Sequence, residues 1–307
     1  MTLYDFKGLQ VGITNLCTLG CPACSRTTFQ EKFPKKWKNI NLNLRDFKKF
    51  IDIPLRGKVI KLCGNNGDAI YHPEIFEYID YLKSEDAHIE IYTNGSYKTA
   101  QWWKDLCQKL DDRDWIHFAV DGTPENFTQY RINGDWESIE LGINEAVKSD
   151  CKVSWVYIPF KYNEHSIEDA RSLAIDLGVD DFVINKSSRD FNGNTMSEMI
   201  PSPELLNNRA LARIKNTKGI DPLCQDHQHH YISEEGFYSP CCMLSDYNFY
   251  YKTDYYKNQK EYDIRLVKLS EILKKQQGFP ENVAENPQPG CSFLCPRNHQ
   301  NPEPNQG

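Results

Sequence analysis

The chain has 307 residues, 36 of them basic and 43 acidic, which gives a formal net charge of −7. This length suffices for one large domain and a smaller one, and the acidic balance argues against a protein that mainly wraps nucleic acid. No apolar run approaches the roughly 20 residues that cross a bilayer, so we expect no membrane partner.

The N-terminal residues lack the charged-then-apolar pattern of a signal peptide. We therefore predict a cytoplasmic protein. Thiols stay reduced in that compartment, so the eleven cysteines indicate metal binding rather than disulfides.

Apolar, β-branched runs alternate with segments of helical periodicity through the first 185 residues. Strands are predicted at residues 9–14, 59–63, 89–93, 115–120, 153–158 and 182–185, and helices at 44–53, 73–83, 100–110, 136–147 and 167–177. This alternation predicts parallel β/α units. Six units rather than eight predict an open, partial (β/α)6 barrel, whose site lies at the C-terminal ends of the strands.

A change of composition divides the rest of the chain. Prolines at 201 and 203 end the predicted barrel domain of residues 1–200. A linking segment of residues 201–218 follows, with a helix predicted over 204–215. Residues 219–307 form a predicted small, cysteine-rich C-terminal domain.

Three cysteines lie close together directly after the first predicted strand. Cys17, Cys21 and Cys24 fall within eight residues, on a loop that also contains Gly20 and Pro22. Thiolates are the usual ligands of iron–sulfur clusters, and a four-iron cluster needs four ligands. A loop with three leaves one iron open to a small molecule. A zinc site is the alternative, with Cys63 or a distant histidine as fourth ligand.

The Cys-x3-Cys-x2-Cys spacing after a first strand resembles the signature of radical S-adenosylmethionine (SAM) enzymes. The resemblance implies that the open iron binds SAM. An electron from the cluster then cleaves SAM to a 5′-deoxyadenosyl radical, which abstracts hydrogen from a substrate. One departure is that Ala23 stands where the family usually has an aromatic residue.

The ends of later strands resemble the SAM-binding motifs of the same family. Asn66, Gly67 and Asp68 stand at the position that binds the amino group of SAM, with Asp68 in place of a glutamate. Thr93 and Asn94 match the motif near the ribose. Asp121 matches a further motif, in which Ala119 replaces a serine, and Arg131 stands where relatives pair with the SAM carboxylate. Alone, each of these short patterns is a common turn or a surface arginine.

A second set of cysteines is Cys224, Cys241, Cys291 and Cys295. The first two, with Gly236, resemble the opening of the SPASM/twitch extension of radical SAM enzymes, which holds auxiliary iron–sulfur clusters. Four cysteines suffice for one four-iron cluster, so the shorter twitch form fits better. Cys242 is an alternative to Cys241, and a zinc ribbon with four cysteines is an alternative to the cluster.

The sequence thus predicts a radical SAM oxidoreductase or maturase that acts on a C–H bond. The predicted substrate is a peptide or a small, sugar-like alcohol, and the predicted reductant is a flavodoxin or ferredoxin. The alternative is a non-catalytic iron–sulfur electron carrier or a zinc-stabilised binding module. No residue is predicted as the catalytic acid or base.

Overall fold

Eight strands form one sheet at the centre of the protein. The computed structural model describes residues 7–186, 199–207, 219–222, 224, 229–276, 279, 283 and 285–295. The strands run in the order β6-β5-β4-β3-β2-β1-β7-β8, and every neighbouring pair is parallel except the last. They are β1 (Gly8–Val11), β2 (Val59–Leu62), β3 (His88–Thr93), β4 (Trp115–Ala119), β5 (Lys152–Tyr157), β6 (Asp181–Ile184), β7 (His229–Ile232) and β8 (Tyr238–Ser239). The sheet ends at β6 and β8, so the barrel is open, as predicted.

The helices that connect the strands are longer than most of the helices in the C-terminal part. α1 (Ser25–Lys32) follows the first cysteines, and α2 to α6 connect successive strands. These are α2 (Leu44–Phe50), α3 (Ile75–Ser84), α4 (Ala100–Cys107), α5 (Trp136–Ala146) and α6 (Ile167–Asp176). The C-terminal part contributes α7 (Tyr247–Tyr250), α8 (Asp254–Lys257), α9 (Leu269–Lys275) and α10 (Cys291–Leu294). None of the described helices has the length and apolarity that a bilayer span requires.

The six predicted strands and five predicted helices are all present, with shifted ends. α3 begins at Ile75, because Pro73 lies in the preceding turn rather than at the first helical position. α6 ends just before Gly178, whose φ of +81° stops the helix. Of the predicted linking helix, the described part is one 3₁₀ turn at Pro203–Leu205, followed by an extended Leu206, and residues 208–215 lie outside the described part.

The two faces of the sheet differ sharply in chemistry. Alternate residues point to opposite faces, and one face packs its apolar side chains against the helices in a single buried cluster that includes Ile60, Ile89 and Trp155. The opposite face, inside the barrel, carries a polar network. Glu90 lies 3.0 Å from the Lys61 ammonium there. The helices therefore cover an apolar outer layer and leave a polar interior.

The C-terminal part adds two strands that the sequence did not predict. β7 pairs in parallel with β1, with Gly8 opposite His229 and Val11 opposite Ile232. β8 then turns back antiparallel to β7. The end of β7 is thereby placed at the same edge of the sheet as the ends of β1 and β2. The three-segment division of the chain stays a prediction.

Candidate radical SAM site

The loop that carries Cys17, Cys21 and Cys24 is folded against the edge of the barrel. The Arg26 guanidinium donates to the carbonyls of Asn15 and Leu19, at 3.2 and 3.1 Å, and so fixes the curve of the loop. Cys24 immediately precedes α1, and its amide donates to the Cys21 carbonyl. The three sulfurs therefore come from one short, internally bonded loop.

All three cysteines belong to one small apolar cluster. Cys21 is buried in it with Tyr130 and Phe160, and Cys17 and Cys24 pack against its side. Burial, and then the nearby Asp68 carboxylate, raise the pKa of the Cys17 thiol to about 12. A thiolate in such surroundings needs a cationic partner, which bound iron supplies.

The turn after β2 packs directly against the start of the cysteine loop. A Cβ added to Gly67 would lie 2.2 Å from the Thr14 carbonyl oxygen, so only glycine allows this approach. The Asp68 amide donates to the carbonyl of Leu16 at 2.9 Å. The turn that resembles the SAM amino-group site is therefore hydrogen-bonded to the residue that precedes Cys17.

Asp68, Thr93 and Asn94 form one hydrogen-bonded group. Asp68 Oδ2 accepts from the Thr93 hydroxyl at 3.0 Å, the Asn94 amide at 2.7 Å and the Asn94 side chain at 2.6 Å. Burial raises the pKa of Asp68 to about 6, against the opposing effect of these donors. The Asn94 side-chain nitrogen also lies 3.6 Å from Cys17 Sγ. Two separate predicted motifs thus converge on the cysteine loop.

Arg131 is paired with Asp121 inside the protein. Its Nε donates to Asp121 Oδ2 at 2.7 Å, and the exposed fractions of the two side chains are 13% and 0%. Burial disfavours the charged form of Arg131, but the neighbouring Asp121 keeps the pKa of Arg131 above its usual value. Within the described part of the chain, neither terminal guanidinium nitrogen has a hydrogen bond. The fork of Arg131 therefore remains available to a carboxylate.

Asn66 is oriented by a residue that sequence analysis missed. Its side-chain nitrogen donates to Glu234 Oε1 at 2.9 Å. Glu234 follows β7 and is 4% exposed. Burial raises the pKa of this carboxyl to about 7, although the Asn66 hydrogen bond opposes the shift. No motif marks Glu234, because its place depends on the pairing of β7 with β1.

The polar interior of the barrel was also missed, although its signal is visible in the sequence. Lys61, Glu90 and His117 are polar residues at alternate positions of apolar strands. His117 Nδ1 lies 2.5 Å from the Ser154 hydroxyl. Burial alone would raise the pKa of Glu90, but His117 and Lys61 hold it near 2. The Lys61 ammonium, 3.0 Å from Glu90, therefore compensates the charge of this carboxylate.

The second cysteine set also comes together. Cys224, Cys241 and Cys295 pack against an apolar cluster in which Cys291 is buried. Burial, and then the other three sulfurs, raise the pKa of Cys224 to about 12. Cys242 is not a member of this apolar cluster. Its thiol instead lies close enough to Tyr231 to contribute to the raised pKa of that tyrosine. The described geometry therefore favours Cys241 over Cys242 as the fourth member.

Neither set has the geometry of a single-ion site. In the described residues, no group of three or more His, Cys, Asp or Glu side chains converges on a point that could hold one metal ion. Four sulfurs around one zinc must each lie about 2.3 Å from it. The ligands of a four-iron cluster bind different irons and can therefore be spaced more widely. The thiol chemistry of both sets suits an iron–sulfur cluster.

The remaining lone cysteines serve other purposes. Cys107 and Cys151 are buried in the main core, and Cys151 Sγ lies 3.2 Å from the Ser149 hydroxyl. Cys63, which was considered as a zinc ligand, follows β2 and is held by a hydrogen bond from Gln10 to its carbonyl at 2.9 Å.

The comparisons with known proteins identify the family of the chain. A model of the radical SAM superfamily matches residues 11–174, and the chain belongs to that superfamily. Its cofactors are therefore a four-iron four-sulfur cluster and SAM. A sequence search of curated proteins finds no match.

Solved structures share the fold at low sequence identity. SuiB of Streptococcus suis bound to S-adenosylmethionine is 13% identical with a TM-score of 0.58, and the alignment covers 86% of this chain and 67% of SuiB. The enzyme anSMEcpe, with bound AdoMet and the Kp18Cys peptide, is 11% identical with a TM-score of 0.54, and the alignment covers 91% and 99% of the two chains. SuiB bound to the precursor peptide SuiA aligns over 80% of this chain and 61% of its own length, with 11% identity and a TM-score of 0.53.

Proposed function

We propose that the protein is an enzyme that reductively cleaves SAM to a 5′-deoxyadenosyl radical and abstracts hydrogen from a C–H bond of its substrate. The observation that carries this proposal is the contact of Cys17 with Asn94, which joins the cysteine loop to the Asp68 group. A cluster-binding loop and an ammonium-binding carboxylate are thus neighbours, as a ligand that chelates an open iron through its amino group requires.

The first cluster would be held by Cys17, Cys21 and Cys24. Asn66, Gly67 and Asp68 would bind the ammonium of SAM, since a carboxylate and close-packed backbone suit a cation. The hydrogen bonds from Thr93 and Asn94 hold Asp68 in place for this task. When bound, the cluster supplies the electron and SAM supplies the radical; the protein supplies orientation and excludes water.

Arg131, oriented by Asp121, would hold the carboxylate end of SAM. A guanidinium fork matches a carboxylate, and the bond from Arg131 Nε to Asp121 leaves the outer edge of the fork open. Asp121 is itself fixed, because its Oδ1 accepts from the Ile158 amide at 2.8 Å. The role of Asp121 is thus to orient Arg131.

Cys224, Cys241, Cys291 and Cys295 would hold one auxiliary four-iron cluster. The four cysteines pack in one apolar group of side chains around buried Cys291, and this packing supports the ligand set. An electron acceptor at this place would take the electron that a substrate radical releases, so the net reaction would be an oxidation.

The proposed substrate is a peptide or a sugar-like alcohol, and the proposed reductant is a flavodoxin or ferredoxin in the cytoplasm. Two structural neighbours, anSMEcpe with the Kp18Cys peptide and SuiB with the precursor peptide SuiA, have peptides bound, which supports the first of the two substrate classes.

The proposal is tested by anaerobic reconstitution. We expect about eight irons per chain, which corresponds to two four-iron clusters, and release of 5′-deoxyadenosine from SAM after reduction with dithionite. Zinc with little sulfide would indicate a binding module, and two clusters without SAM cleavage would indicate an electron carrier. Either result would contradict the proposal.

A further inference from the structure

In the described part of the chain, one buried carboxylate oxygen just after β7 has no hydrogen-bond partner. Glu234 is 4% exposed, and its Oε1 accepts from Asn66. Among the described residues, its other oxygen, Oε2, has no hydrogen bond. A buried carboxylate without a full set of partners is costly, so an unpartnered oxygen here requires an explanation.

The position of Oε2 is well defined by its neighbours. A Cβ added to Gly12 would lie 3.2 Å from Glu234 Oε2 and 2.9 Å from the Tyr231 hydroxyl. The Tyr231 hydroxyl accepts from the Asn65 amide at 3.2 Å. Glycine at position 12 therefore makes room for two polar atoms at the barrel edge, next to the turn proposed to bind SAM.

The surroundings of Glu234 are acidic or neutral. Glu235 raises its pKa further, and Tyr231 and Tyr251 lie within its electrostatic reach. Cys242 and Cys63 face Tyr231 from the neighbouring elements. Within the described part of the chain, no lysine, arginine or histidine forms an ion pair with Glu234. The described surroundings of Glu234 therefore include no cation that pairs with its carboxyl group.

We propose that Glu234 recognises a cationic group of the ligand bound at the barrel edge, with Oε2 as the acceptor and Asn66 as the residue that orients the carboxylate. The cation is either the ammonium or sulfonium of SAM or an amine of the substrate. This inference rests on the proposed function, because that function supplies the ligands. It assigns to the C-terminal strand pair a direct part in ligand binding.

Binding of a cation should release a proton from Glu234. The carboxyl is partly protonated near neutral pH, since burial raises its pKa to about 7, and a cation favours the ionised form. The affinity for the cationic ligand should therefore increase as the pH rises through 7. Replacement by glutamine keeps an acceptor for Asn66 but removes the charge.

Calorimetry of SAM binding to the oxidised, reconstituted enzyme tests the first source of the cation. For Glu234→Gln we expect about tenfold weaker binding at pH 8, the usual loss for one charge-assisted hydrogen bond, and a smaller loss at pH 6. Titrations in two buffers with different heats of ionisation should show less proton release than in the wild type. S-adenosylhomocysteine, which keeps the ammonium but lacks the sulfonium charge, identifies which cation is involved.

A second set of titrations tests a substrate amine. With the enzyme saturated with SAM, glucosamine is compared with glucose, and Nα-acetyl-lysine amide with its Nε-acetylated form. Preference for the charged member that disappears in Glu234→Gln supports the amine. Asn66→Ala, which removes the hydrogen bond but keeps the charge, should retain the pH dependence.

The outcomes separate this inference from the proposed function. If the wild type neither binds nor cleaves SAM, the proposed function is wrong. If it does both, and Glu234→Gln matches it with every one of these ligands at both pH values, the carboxylate has no ligand role and the inference is overturned.

Discussion

The side-chain nitrogen of Asn94 lies 3.6 Å from the sulfur of Cys17. The same nitrogen donates to Asp68 Oδ2 at 2.6 Å, and an amide nitrogen has two hydrogens to give. One residue at the end of β3 therefore contacts both a cluster ligand and the carboxylate proposed to bind SAM.

Asn94→Ala should lower the reduction potential of the first cluster. Hydrogen bonds to ligand sulfur stabilise the reduced, more negative cluster, so their loss should shift the potential downward by on the order of tens of millivolts. A redox titration followed by electron paramagnetic resonance measures this shift. Asn258→Ala, whose exposed side chain donates to the Asp254 carbonyl, is the control, and an equal potential in both variants would contradict the role of Asn94.

Arg131→Lys should weaken SAM binding by about tenfold, because lysine cannot reproduce the planar fork. Calorimetry of SAM binding at fixed pH checks this value. If the wild-type affinity persists, Arg131 does not contact SAM.

Asp121→Asn should lower the free energy of unfolding of the protein. Removing one member of a buried ion pair costs about 3–5 kcal/mol, and both side chains of this pair are largely buried. Asp80→Asn, which breaks an exposed pair with Lys109, should cost about 1 kcal/mol or less. Denaturant titration of both variants provides the comparison, and equal losses would show that the Arg131 pair contributes no more than a surface pair.

Cys291→Ala should remove about four irons per chain and leave SAM cleavage in place, since it affects only the auxiliary cluster. Cys17→Ala should abolish cleavage and remove the other four. Cys107→Ala is the matched control: this thiol is buried in the main core, so the variant should keep about eight irons. Loss of SAM cleavage in Cys291→Ala with the first cluster intact would contradict the division into two independent centres.

The parts of the fold that could be predicted are those encoded locally. Each strand from β1 to β6 is a short apolar run, and each helix from α2 to α6 has an apolar stripe that packs on the sheet. α1 escaped prediction because it has no fully buried residue, so its sequence carries no such stripe. Its contacts are made by aromatic side chains instead, for example Phe29 with Tyr247 at 5.4 Å between ring centroids.

The candidate site also has one part that local sequence motifs predict and one part that they do not. Cysteine spacing and strand-end motifs identify Cys17, Asp68 and Asn94, because ligand chemistry fixes the residue types within a few positions. Glu234 had no such signal. It reaches the site only because β7, more than 200 residues after β1, pairs with it in parallel, and long-range strand pairing cannot be derived from local pattern.

Glu234→Gln should change how the stability of the ligand-free protein depends on pH. Burial raises the pKa of Glu234 to about 7, while the unfolded chain has the ordinary value of about 4.3. Between these values the folded state binds more protons than the unfolded state, so the stability of the wild type should fall as the pH rises through this window. The ionised carboxylate should cost about 4 kcal/mol above pH 7, and Glu234→Gln should be free of this loss. Thermal melts at pH 5 and pH 8 measure the difference, with the exposed Glu271→Gln as control; parallel pH profiles in the wild type and Glu234→Gln would show that the buried carboxyl does not titrate in this range.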